Sequence, residues 1–151
     1  MERAASSVVG VVLLLGITVV GAATVGLAVN STTETAPTMA SFDLAVDAET
    51  NSLTLTHRGG DPVDLTQAEF HVTVDGVPLE SDPPIPFFAA VGFRSGPDGP
   101  FNAASPNTWH SGETGRFRIA GTNDPTIAPG SAVTVRVVVD GTEIAKVTAT
   151  A

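Results

Sequence analysis

The feature that most constrains this chain is an uncharged stretch from Ala4 to Thr33. Within it Val8–Val29 is almost wholly apolar. At a rise of about 1.5 Å per residue those 22 residues make a helix roughly 33 Å long, enough to cross a hydrocarbon core of about 30 Å. Only Met1, Glu2 and Arg3 precede the stretch. The sequence therefore predicts one long N-terminal hydrophobic α-helix over residues 5–30, attached to a second unit of different chemistry.

That second unit has about 118 residues, enough for one domain with a core of its own. The chain has no cysteine, which excludes a disulfide framework, a thiolate metal site, a catalytic thiol and a lipid anchor on cysteine. Acidic residues outnumber basic ones 16 to 7, a net charge of −9, and the one lysine is Lys146. Nucleic acid, which needs a basic footprint, is not an expected partner. Spread acidity with little lysine suits a halophile protein, because concentrated salt screens the self-repulsion. An ordinary acidic surface protein is the plainer alternative.

Three uses of the hydrophobic helix are open. A secretory signal would be removed at a site such as Gly26-Leu27-Ala28, although the apolar run exceeds the usual h-region of about 7–15 residues. A plain transmembrane anchor needs only the length, and Arg3 favours a cytoplasmic N-terminus. The third use is packing against copies of itself. Ser6, Gly10, Leu14, Thr18, Ala22, Gly26 and Asn30 recur every fourth residue, and all but Leu14 are small or short and polar. Such a ridge lets helix backbones approach where lipid supplies no hydrophobic drive. Glycines cost helix stability, so Gly10, Gly16, Gly21 and Gly26 point to packing. The candidate packing residues are Gly10, Gly16, Thr18, Ala22 and Gly26.

The run Arg3-Ala4-Ala5-Ser6-Ser7-Val8-Val9-Gly10-Val11-Val12-Leu13-Leu14-Leu15 resembles the N-terminus of archaeal type IV pilins, the haloarchaeal ones in particular. Ser7 stands where that family usually has proline, and Val9 where bacterial pilins have glutamate. The resemblance implies a class III-type leader of residues 1–4. A prepilin peptidase would read Arg3 and cut between Ala4 and Ala5, leaving the helix on the mature protein.

Residues 31–41 are rich in Ser, Thr and Ala and read as a stalk. Asn30-Ser31-Thr32 is an N-glycosylation sequon, which makes Asn30 a candidate modification site just outside the membrane. Residues 42–151 then show short alternating runs separated by turn signals. Phe42, Leu44 and Val46 alternate with polar residues, as do Leu53 and Leu55 with His57 in phase. Arg58-Gly59-Gly60-Asp61-Pro62 is expected to break that strand. Phe70, Val72 and Val74 form a third set, closed by Asp75-Gly76, a dipeptide suited to a tight hairpin. Val77-Pro78-Leu79 reads as a short edge strand.

Residues 80–115 hold six prolines, from Pro83 to Pro106, and form a long loop. Its many aromatics argue for an ordered loop rather than a linker. Gly115–Ile119 and Ala132–Asp140 alternate again, Asp140-Gly141 marks a second tight turn, and Thr142–Thr150 is the last strand. The fold class expected is mainly β, an immunoglobulin-like antiparallel β-sandwich head behind the helix.

This half is similar to the same family. Leu53-Thr54-Leu55-Thr56-His57-Arg58-Gly59-Gly60-Asp61 resembles its recurring "LTITHxGGD" segment, with Leu65 following in a hydrophobic position. Trp109–Glu113 and Ile127–Val135 have the layout of later segments, and Glu80–Thr108 has no counterpart.

The chemistry open to this chain is narrow. His57 and His71 fall on opposite strand phases and are not expected to share a metal. A blue-copper site lacks its cysteine. The glycines and Asp61 after His57 fit a turn in which the carboxylate accepts backbone hydrogen bonds. A phosphate loop would need a following helix and lysine. Ser, His and Asp are all present, but there is no Gly-x-Ser-x-Gly elbow. Asp82, Asp98, Glu113 and Asp124 lie in loops without ordered calcium-ligand spacing. Phe87, Phe88 and Trp109 are candidates for a surface-binding patch, or else for a cover over an open end of the sheets.

The reading is a structural subunit and not an enzyme, with no cofactor and no metal. The resemblance implies a type IV pilin: anchored first in the cytoplasmic membrane, then packed with itself into a filament, its β domain displayed extracellularly for cell adhesion. The partners implied are other copies of the chain, the prepilin peptidase and the pilus assembly machinery. The alternative is a monomeric membrane-anchored or secreted immunoglobulin-like binding module.

Overall fold

The structure is a computed structural model that describes residues 8–15 and 35–151. Residues 8–15 are α-helical. The leader at 1–4, the remainder of the helix expected over 5–30 and the first part of the stalk lie outside the described residues. Among the described residues no helix is long and apolar enough to cross a membrane. The chain divides into two units, Met1–Ala36 and Pro37–Ala151.

The second unit is mainly β and antiparallel. Nine strands follow in order: β1 (Ala40–Asp47), β2 (Ser52–Gly60), β3 (Val63–Asp64), β4 (Ala68–Val74), β5 (Val77–Pro78), β6 (Thr108–Trp109), β7 (Thr114–Arg118), β8 (Ala132–Val139) and β9 (Thr142–Thr150). One sheet has the order β1-β2-β7, a second β5-β4-β8-β9, and β3 pairs with β6 in a two-stranded ribbon.

Local turn chemistry sets the register. Asp75 and Gly76 both have positive φ, 51° and 81°, and Asp140 and Gly141 repeat this at 49° and 76°. Two successive left-handed residues match the twist of the flanking strands, which is why Asp-Gly serves here. The first turn brings Val74 against Val77 and the second brings Val139 against Thr142. Asn51, at φ 50°, turns β1 into β2.

Once register is set, alternation decides what is buried. Leu53, Leu55 and Phe117 from the first sheet meet Phe70, Val72, Val74, Val133, Val135 and Val137 from the second in one core. At about 25 cal/mol per Å² of apolar surface removed from water, this shared core is the main drive for the domain. The segment after β5 adds Ile85, Phe87, Phe93 and Phe101 to it. Phe101 packs against Phe70, Trp109 and Phe117 at centroid distances of 5.5, 5.0 and 6.2 Å. Gly115 makes room for that ring: a Cβ there would stand 2.6 Å from three of its atoms.

Two expectations are corrected. Arg58-Gly59-Gly60 does not break the strand, for β2 continues through Gly60, and the break falls at Asp61-Pro62. A register shift between Ser41 and Phe42 takes up the irregularity, so that Gly59 still faces Ser41 and Gly60 faces Ala40. The long loop ends before residue 115, because Thr114 and Gly115 already pair with Thr56 and Leu55 of β2.

Candidate functional site

The best-built polar constellation of the domain lies at its entry, where the His57–Asp61 segment grips the chain at Met39. Asp61 donates its backbone N–H to the Met39 carbonyl at 2.7 Å. Its carboxylate accepts the Met39 N–H at 3.0 Å. Asp61 is thus the backbone acceptor expected for it, and the strand it serves is β1. Gly60 sits at φ 101°, and a Cβ on it would stand 2.2 Å from the Met39 carbonyl oxygen. No residue with a side chain fits there without moving the entering chain.

Under this clamp His57 is fully buried. Its Nε2 is 2.9 Å from the Asp61 carbonyl oxygen, which can only accept, so Nε2 carries the proton and donates. Nδ1 is buried and has no hydrogen-bond partner among the described residues. Around the ring stand Phe42 and Trp109, at centroid distances of 5.0 and 5.6 Å. Phe42 and Trp109 stack on each other at 4.7 Å. The Glu113 carbonyl accepts both Trp109 Nε1–H and the His57 N–H, each at 3.0 Å. Bridging two strands and a loop through one carbonyl rigidifies the corner, since a buried indole N–H left alone would cost its desolvation.

The expected aromatic patch is corrected. Trp109 is fully buried and Phe87 is buried in the core, while Phe88 alone is exposed. The three do not form a surface: Trp109, on β6, packs among Phe42, His57, Phe70 and Phe101, and Phe87 packs on Phe93 at 5.8 Å. Gly10 lies in the helical residues 8–15, and a Cβ there would meet nothing within 4 Å. Arg3, Ala4, Ala5, Gly16, Thr18, Ala22, Gly26 and Asn30 lie outside the described residues.

The other histidines are near the surface. His71 Nδ1 is 2.8 Å from Asp82 Oδ2, and its Nε2 is 3.6 Å from Glu69 Oε2. Asp82 Oδ1 accepts the Val72 N–H, which ties the loop after β5 back to β4. His110 Nδ1 is 3.5 Å from Glu113 Oε2. Among the described residues no serine or threonine hydroxyl bonds a histidine nitrogen, and no three His, Asp or Glu side chains gather to hold a metal. Hydroxyl and backbone N–H donors hold two exposed aspartates below their ordinary value. The Thr66 hydroxyl and N–H stabilise ionised Asp64. The Glu49 N–H, and after it the Thr50 hydroxyl, do so for Asp47. No protein-family model matches the chain, and no curated protein is significantly similar to it.

Proposed function

We propose that the chain is the structural subunit of an archaeal type IV pilus. The observation that carries this reading is the surface of residues 8–15. Val8, Val9, Val11, Val12, Leu13, Leu14 and Leu15 are all between 57% and 67% exposed. Seven large aliphatic side chains in eight residues are not a surface for water, and lipid or other helices must cover them. The leader-like Arg3-Ala4-Ala5 before them and the four-residue ridge of small side chains favour lipid first and copies of the helix afterwards.

In this reading the prepilin peptidase cuts before Ala5, and the helix leaves the membrane to pack into the filament core. The association is head-to-tail and does not close, so it builds a fibre. The immunoglobulin-like β-sandwich head is displayed outward for adhesion, and its acidity suits concentrated salt. The clamp at Met39 fixes where the stalk enters the head.

Gly16→Lys tests the packing. A charge on the ridge should leave the precursor in the membrane fraction and abolish fibres seen by electron microscopy. Normal fibres built from this variant would contradict helix packing in the core. A monomeric binding module is the second reading, and it expects no fibres from either protein.

A further inference from the structure

Six cationic side chains lie in the described residues, and three of them line one cleft. Arg94, Arg116 and Arg118 stand around a space of about 230 Å³, with Asp98 the one acidic residue on its wall. The gathering follows from the fold. Arg116 and Arg118 alternate with buried Phe117 on β7, so both point out of the sheet. Two residues apart on a strand puts their Cα atoms about 7 Å from each other. The chain at 93–98 covers the outer edge of β7. Arg94 N–H donates to the Arg118 carbonyl at 2.9 Å, and Asp98 exchanges backbone hydrogen bonds with Arg116 at 2.8 and 3.2 Å. That pairing delivers the third guanidinium.

The protein's own ion pairs engage other arginines. Arg58 is ion-paired with Asp43, and Arg136 with Glu143 at 2.7 Å. Among the described residues none of the three cleft arginines has a carboxylate within ion-pair distance. Arg116 is also the last and smallest of the causes that lower the Asp47 carboxyl. In a chain of net charge −9, three guanidiniums gathered around one carboxylate repel one another, and an added anion would relieve that repulsion.

We propose that this cleft binds an oxyanion group, a sulfate or phosphate, free or esterified on a polymer. The planar guanidinium fork matches two oxygens of such a group, and three arginines line the one space. The space is smaller than the roughly 300–1,000 Å³ of sites that enclose a drug-sized ligand, so it takes a charged group and not a whole sugar chain. The site does not depend on the filament reading, because a monomeric domain would carry it equally.

The test follows the arginine Nε–H signals of the full-length protein in non-ionic detergent at fixed potassium chloride. Sodium sulfate, sodium phosphate, dextran sulfate and uncharged dextran are added in turn. Saturable shifts at Arg94, Arg116 and Arg118 are expected with sulfated or phosphorylated probes and not with dextran. Saturation by the simple salts identifies a free-ion site, and saturation by dextran sulfate alone identifies a polyanion site. Arg116→Gln with Arg118→Gln should weaken binding about tenfold or more, while Arg136→Gln leaves it unchanged. If the double variant does not keep the wild-type melting temperature, Arg94→Gln replaces it, since Arg94 lies outside the strands. No saturable shift with any probe, or an equal loss in Arg136→Gln, would overturn the proposal.

Discussion

The same residue types meet opposite fates in two regions of this chain. In residues 8–15 valine and leucine are more than half exposed, whereas Leu53, Leu55, Val72, Val133, Val135 and Val137 are completely buried. Periodicity accounts for the difference. In the strands every second residue is apolar, so one face can be hidden while the other stays polar. In the helix nearly every residue is apolar, so no single face can satisfy it. The domain therefore solves its burial within its own chain, and the helix must solve it with something else.

If that contrast is right, core changes act on domain stability and helix changes do not. The largest effect is expected from Trp109→Ala. It removes a fully buried ring that touches Phe42, His57, Phe70 and Phe101. A loss of about 3–5 kcal/mol is predicted from the urea midpoint. A loss below about 1 kcal/mol would mean the end of the sheets is held by something other than this aromatic cluster.

Gly60→Ala comes next. It forces a Cβ against the Met39 carbonyl at positive φ, at a cost of about 1–3 kcal/mol. Its particular signature is faster hydrogen exchange at the Asp61 N–H, which now donates to Met39. Unchanged exchange would remove the clamp from the account.

A smaller effect concerns acid. Asp64 is held below its ordinary value of 3.8 by Thr66. A lowered folded-state value gives stability above the unfolded value, which is lost as pH falls through the folded one. Thr66→Ala should therefore raise the Asp64 value toward 3.8 and flatten the stability loss below about pH 4. A titration of Asp64 by carboxyl NMR that is identical in both proteins would contradict this.

The smallest effect is expected from Leu13→Ala. The urea midpoint of the domain should move by less than about 0.5 kcal/mol. A shift as large as that of Gly60→Ala would break the comparison at its root.

What could be read in the sequence was what depends on near neighbours. Asp75-Gly76 and Asp140-Gly141 announce their turns because positive φ is a property of two residues. The valines of β8 announce a buried face because alternation is local. Asp61 announced a backbone acceptor, but its partner Met39, 22 residues away, could not be read. Patch and cover both stayed open for Trp109 and Phe87 because aromatics in a proline-rich loop look alike whether they point in or out. Nothing local shows that Gly115 is needed for the ring of Phe101, 14 positions earlier. The arginine cleft was hidden for the same reason, since Arg94 meets Arg116 and Arg118 only when the loop lies along β7.

The central claim is that the apolar helix stays on the mature protein and is covered by copies of itself. The most direct measurement is the N-terminal sequence of the protein recovered from sheared cell-surface fibres. The account predicts a start at Ala5. A start near Val29 in the medium, or an uncut Met1 confined to membranes, would contradict it.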